Sequence, residues 1–373
     1  MRIIAFYLPQ FHTFPENDMW WGKGFTEWVS VKRAKPFFEG HNQPRVPLHK
    51  NYYNLLQPET LRWQAALARQ YGIYGFCYYH YWFEGKRLME KPMENMLGDP
   101  SVSFPFCICW ANEDWTRSWA AKENKVLIRQ TYGKADAWRR HFDYLLPFWK
   151  DKRYIKNDEK PLMIIYRPER IPCLRDMLES FQRWARESGL PGIDFAYQYR
   201  DFNHMTNPDG DLFQYGIEYQ PVFSRKKYRK SLRYGIRYML NMLAAKCQIF
   251  RNSYTLLRFD YVKEWENIIH SLPRDNKMLP GAFVDWDNTP RHGYCGSMYE
   301  NVTAESFHKY LSIQIKRTKE IYHKDMLFLF AWNEWGESGY LEPDEKRGFQ
   351  MLEAVKASLQ ENGEWRETQE ESG

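Results

Sequence analysis

Eight short runs rich in β-branched and aromatic residues recur along the whole chain: Ile3–Leu8, Gly75–Tyr81, Phe104–Ala111, Leu162–Arg167, Ile193–Tyr199, Ile217–Val222, Gly281–Trp286 and Met326–Trp332. Between most of them lie stretches of helical periodicity, Gln57–Tyr71, Ala135–Lys150, Leu174–Glu187, Ala304–Tyr322 and Phe349–Glu361. In the first of these, Pro58 stands in the opening turn and Gly72 just past the end, the usual order of helix start and stop. Eight strands alternating with helices predict an α/β fold, a single (β/α)₈ TIM barrel. A doubly wound open sheet is the rival, but no G-x-G-x-x-G follows the first run and no G-x-x-x-x-G-K-[ST] occurs in the chain.

Such a barrel needs roughly 250 residues, so a chain of 373 must carry inserts. One is the long loop after strand 1, from Gln10 to about Leu56, which must be a lid or binding loop to be ordered at that length. The other, 224–253 after strand 6, holds nine Lys and Arg residues and no acidic one up to Asn252. Leu232, Ile236, Met239, Leu240 and Leu243 recur there at helical spacing beside a stripe of Arg229, Arg233 and Arg237, so the segment reads as a basic amphipathic helix. Either its apolar stripe packs on the barrel, or the helix makes peripheral contact with an anionic membrane. Residues 1–360 therefore form the catalytic barrel, and the acid-rich 361–373 a disordered tail.

A net charge of +6, from 53 basic and 47 acidic residues, is too small an excess to imply a nucleic-acid partner. No apolar run reaches membrane-spanning length, and Met1-Arg2 lead straight into the first strand with no signal-peptide core. The expected location is cytoplasmic, extending to the inner-membrane surface if the basic helix docks there. The six cysteines are scattered, several inside apolar runs, and read as reduced core thiols. Cys107 and Cys109 lack zinc-site spacing, and neither metal nor cofactor is expected.

In a (β/α)₈ barrel the chemistry sits at the C-terminal strand ends. Those ends repeatedly place Trp or Tyr beside a carboxylate, Asn or His. That combination suits a carbohydrate, whose C–H faces pack on rings and whose hydroxyls need polar partners. Candidates for substrate contact are Tyr7 and His12, His80 and Trp82, Trp110, Asn112, Glu113 and Trp115, Trp286 and Asp287, and Asn333 and Trp335. Glycosidic cleavage needs two carboxyls, one protonated and one ionised. Glu334 and Glu337 are three apart, so on a helical turn they share a face, and mutual repulsion raises one pKa. Glu113 is either a cross-barrel partner for Glu334 or a ligand of sugar hydroxyls. His12 and His80 are either substrate contacts or satisfied core residues. Asp285-Trp286-Asp287 is a D-x-D triplet, a weak sign of a metal–diphosphate site.

Five ordered motifs, Ala5-Phe6-Tyr7-Leu8-Pro9-Gln10-Phe11-His12, Gly75-Phe76-Cys77-Tyr78-Tyr79-His80-Tyr81-Trp82-Phe83, Cys109-Trp110-Ala111-Asn112-Glu113, Trp286-Asp287-Asn288-Thr289-Pro290-Arg291 and Ala331-Trp332-Asn333-Glu334-Trp335, closely resemble the WbsX-like family of bacterial surface-polysaccharide loci, related to family-99 glycoside hydrolases. The resemblance implies a metal-independent barrel acting on an α-mannoside-like bond with retention, through a 1,2-anhydro sugar. It implies Glu334 as the base for the sugar 2-hydroxyl, Glu337 as acid/base at the leaving oxygen, and Asn333 on a hydroxyl. The substrate class it implies is a surface polysaccharide or its precursor, which includes lipid-linked forms. A glycosyltransferase of O-antigen or lipopolysaccharide biosynthesis is the alternative. The chain departs from the hydrolase motif at Gly336, where a His precedes the second Glu.

Overall fold

All eight runs form strands in the computed structural model, which describes residues 1–117, 125–199, 208–225, 235–236, 239–240, 243 and 256–365. The barrel strands are β1 (Arg2–Tyr7), β2 (Gly75–Phe83), β3 (Phe106–Trp110), β4 (Lys160–Ile165), β5 (Asp194–Tyr199), β6 (Tyr215–Glu218), β7 (Gly281–Phe283) and β8 (Met326–Phe330). Around and above them lie α1 (Pro15–Trp21), α2 (Glu27–Arg33), α3 (Pro58–Gln70), α4 (Lys91–Gly98), α5 (Ala135–Lys150), α6 (Leu174–Glu187), α7 (Tyr261–Ile269), α8 (Thr289–His292), α9 (Ala304–Glu320) and α10 (Gln350–Glu361). Covered on both faces, β1, β3, β4 and β8 are almost continuously buried, as parallel strands require.

Every pair from β8 through β1 to β6 is parallel, in registers such as Ile3↔Leu327 and Cys77↔Cys107. The barrel closes through the seventh strand, which is split at Pro280. Met278 and Leu279 pair with Gly216 and Ile217 of β6, whereas Gly281–Phe283 pair with Phe328–Phe330 of β8. Proline can donate no ladder bond, and its carbonyl accepts from Phe328 N instead. At the next residue a Cβ would lie 1.8 Å from the Glu218 carbonyl oxygen, so only glycine permits this closure.

Local signals also act as expected. Asp260 caps α7 by accepting from Lys263 N, and Thr303 and Ser306 form a capping box on α9. Residues 361–365, expected in a frayed tail, are instead held. Glu364 pairs with the N-terminal amine and with Lys319, and Trp365 packs beside Gly72. Cys77, Cys107 and Cys109 are buried thiols, but Cys295 is exposed rather than in the core. Most of the basic insert, Arg229, Arg233 and Arg237 included, lies outside the described residues. Of its apolar positions, Ile236, Met239, Leu240 and Leu243 are exposed.

Replacing Gly281 by Ala should destabilise the barrel by about 1–3 kcal/mol, the usual range for overpacking. Urea unfolding monitored by tryptophan fluorescence measures this, and an unchanged midpoint would contradict closure at this residue.

Candidate active site

A cavity of about 280 Å³ opens at the C-terminal ends of the strands, just under the usual size range of small-ligand pockets. Side chains alternate along a strand, and this decides which residues face it. From β2, Tyr79 and Tyr81 line the cavity, whereas His80 and Trp82 point out toward α5. His80 lies 3.0 Å from His141, on which Trp82 stacks, and burial together with the Arg87 charge pushes it down to about pH 3. Tyr7 likewise points outward and donates to Gln64 of α3 at 2.7 Å. Trp110 packs on His141 and Tyr132, while the next residue, Ala111, lines the cavity. Tyr7, His80, Trp82 and Trp110, expected as sugar contacts, are therefore core residues outside the cavity lining.

Two asparagines occupy corresponding places. Asn112 exchanges two 2.7 Å bonds with the Arg167 backbone, and Asn333 accepts from Leu8 N at 2.7 Å and donates to Leu8 O at 3.0 Å. Each side-chain amide stands in for a peptide unit and extends the ladder one step beyond its neighbour strand. Neither is among the residues that line the cavity. His12 is buried against the Thr13 carbonyl, and burial lowers its pKa. Trp286 bonds Ser297 and lies under the Arg225 guanidinium, and Trp335 stacks on Tyr340 and donates to Glu342. These three also lie outside the lining.

The D-x-D carboxylates are buried and engaged by the protein itself. Asp285 pairs with Arg45 and Arg347. Asp287 accepts from Gln43 and Thr289 and lies 2.8 Å from His41; burial alone would raise its pKa, but these contacts hold it below the usual carboxylate range. The pair staples residues 41–45 of the long loop to the end of β7.

The candidates that do line the cavity are Glu334, Glu337, Glu113 and Trp115, joined by Trp21, Tyr79, Tyr81, Asp114, Tyr166, Tyr219 and Arg291. Trp115 meets the edge of Tyr81 and tilts against Trp20 of α1. Glu113 pairs with Arg167 at 2.7 Å. Asn333 and Glu334 pair with Gly339 and Tyr340, and Trp335–Glu337 form a single 3₁₀ turn. Glu334 precedes this turn as its N-cap and Glu337 ends it, and both reach one cation. Arg291 of α8 reaches Glu334 at 3.0 Å and Glu337 at 2.9 Å.

A third carboxylate was not foreseen. Glu27 of α2 is wholly buried and pairs with Arg291 Nε at 2.7 Å. Gly336 explains how it fits: a Cβ there would lie 1.8 Å from Glu27 Oε1 and 2.7 Å from Arg291 Nε. This ion pair fills the space that a side chain at residue 336 would take. Arg291 and Tyr81 fall within the motifs quoted above, and the strand phase would have found Tyr79, but Glu27 sits in the long loop with no periodic signal.

Burial pushes Glu334 up to about 8; Arg291 opposes the shift, while Glu337 and Glu27 add to it.

Residues 3–355 match the family described as "Glycosyltransferase WbsX". The chain belongs to the WbsX family. It is 34% identical to the "Uncharacterized protein WxcX" of two strains of Xanthomonas campestris pv. campestris, over 96% of its own length. It spans about half, 49%, of those relatives. Its fold is that of the GH99 endo-alpha-mannosidase from Bacteroides thetaiotaomicron, at a TM-score of 0.55 and 12% identity over 96% of this chain and 97% of that one. A "Glycoside hydrolase-like protein" is similar to the same degree, at 0.55 and 11% over 96% and 93%.

The Glu334 shift predicts a pH dependence of stability. Its folded pKa of about 8 exceeds the ordinary 4.5, so the folded state binds the extra proton between these values and stability falls as pH rises through the window. Thermal unfolding from pH 5 to 8 should show this decline, and Glu334→Gln should flatten it; an unaltered slope would place the proton elsewhere.

Proposed function

We propose that the chain is a carbohydrate-active enzyme, a retaining glycoside hydrolase or transglycosylase acting on an α-mannoside-like bond of a bacterial surface polysaccharide or its precursor. The observation that carries this reading is the pairing of Glu334 and Glu337 on one turn, facing an aromatic cavity and sharing Arg291. Family membership and the fold shared with an endo-α-mannosidase support it.

Neighbouring carboxyls on one turn suit participation by the sugar itself. Glu334 takes the 2-hydroxyl proton as O2 attacks C1, the bond from C1 to the leaving oxygen breaks, and Glu337 protonates that oxygen. Water, or an acceptor hydroxyl, then attacks C1 and loses its proton to Glu337. The C1–O2 bond opens, O2 recovers its proton from Glu334, and two inversions leave the configuration retained. Held near 8, Glu334 is a stronger base once ionised than an ordinary carboxylate. Tyr79, Tyr81, Trp115 and Trp21 supply faces for the ring.

Glu337→Gln should reduce cleavage of an aryl α-mannoside at least 100-fold, as loss of a general acid does; retained turnover in the variant would remove this assignment. The family description favours a second reading, a glycosyltransferase. Loss of activity in EDTA with recovery in manganese would support it, although Asp285 and Asp287 are already engaged. The exposed Ile236, Met239, Leu240 and Leu243, in an insert rich in Lys and Arg, support docking at an anionic membrane, where a lipid-linked glycan would be met. Co-sedimentation with phosphatidylglycerol vesicles should then fall on charge reversal at Arg229, Arg233 and Arg237, and unaffected binding would count against docking.

A further inference from the structure

Arg291 gives each of its three nitrogens to a different carboxylate: Nε to Glu27, Nη2 to Glu334 and Nη1 to Glu337, at 2.7, 3.0 and 2.9 Å. A guanidinium free to choose grips one carboxylate through two parallel bonds. Here that is prevented from the side, because Glu27 Oε1 occupies Nε and leaves Glu334 only Nη2. Glu27 is wholly buried and does not line the cavity, so it cannot touch a substrate. Its other oxygen is buried with no hydrogen-bond partner among the described residues, so the charge is directed at Arg291. The position is built for this, since any side chain at residue 336 would occupy the same space.

We propose that Glu27 is a positioning residue for the acid–base pair: by holding the Nε edge of Arg291 it stops the guanidinium from forking onto Glu334, and so divides one positive charge between Glu334 and Glu337. The inference rests on reading those two glutamates as the reacting groups. Undivided, the cation would stabilise Glu334 as the anion and weaken it as a base. Glu113, Asp114 and Tyr166 line the same cavity, and among the described residues Tyr79 and Tyr81 interact with Glu334 and His292 with Glu337. Tyr79, Tyr81 and His292 are pushed toward their neutral forms by burial, which leaves Arg291 as the charge to be shared.

The test is an infrared titration of the full chain labelled with ¹³C-carboxyl glutamate, with the Glu334 band identified by its loss in Glu334→Gln. The wild-type midpoint is expected near 8. In Glu27→Gln it should fall by about one unit, as an opposite charge brought closer lowers a carboxyl. Gly336→Ala displaces Glu27 while keeping its charge, and should lower the midpoint in the same direction. This separates forking from simple loss of a negative neighbour. If either variant fails to unfold cooperatively, Glu27→Asp, which retracts the carboxylate by one methylene, should give a shift of the same sign. A midpoint that stays within 0.2 of wild type, or moves only when the charge is removed, would overturn the proposal. The readout needs no substrate: a shift without glycoside cleavage would sink the proposed function alone, and cleavage without a shift would sink this inference alone.

Discussion

One guanidinium between two buried carboxylates, Glu27 and Glu334, and the half-buried Glu337 is the constraint on which the site depends. Burying an unpaired carboxylate costs several kcal/mol, and a pair holds only where geometry and further hydrogen bonds compensate. Glu27 comes from α2, Arg291 from α8, and Glu334 and Glu337 from the turn after β8. Three segments far apart in sequence are thereby fixed by a single side chain. The absence of a Cβ at Gly336 is what allows them to meet.

Around this centre the strand ends are tied by groups that sequence alone assigns to the substrate. Asn112 and Asn333 continue the ladder between neighbouring strands, and Asp285 and Asp287 anchor the long loop through Arg45, His41 and Gln43. The Asp287 amide also donates to the Glu337 carbonyl at 2.7 Å, which links that staple to the turn bearing the two glutamates. Polar residues at a barrel mouth thus divide into those that present chemistry and those that hold the backbone for it. The second group is needed because irregular backbone at strand ends has donors and acceptors that must be satisfied.

Period was legible in the sequence, and phase was not. The eight strands and the five foreseen helices follow from spacing, capping and turn residues, because those signals are local. Whether His80 or Tyr79 faces the cavity depends on a one-residue offset that reverses every side chain. In an almost wholly buried strand such as β2 both faces carry aromatic residues, so composition cannot fix that offset. Glu334 and Glu337 were legible because they lie past the strand end on one turn, where spacing alone brings them together. Glu27 was not, since its place is set by Arg291 more than 260 residues away, at |i−j| = 264.

Glu342 shows why the pairing, rather than a raised pKa, carries the proposal for Glu334 and Glu337. It is as buried as Glu334, and burial pushes it up to about 7. Its oxygens accept from Tyr53, Gln64 and Trp335, all neutral donors, and it lies outside the cavity lining. That environment satisfies a carboxyl without placing a second carboxyl or a cation on its oxygens, and without opening it to the cavity. Glu334 has the same burial but faces the cavity, shares a cation with Glu337 and sits beside Glu27. Perturbation alone marks both residues; only for Glu334 does a change of protonation have somewhere to send the proton.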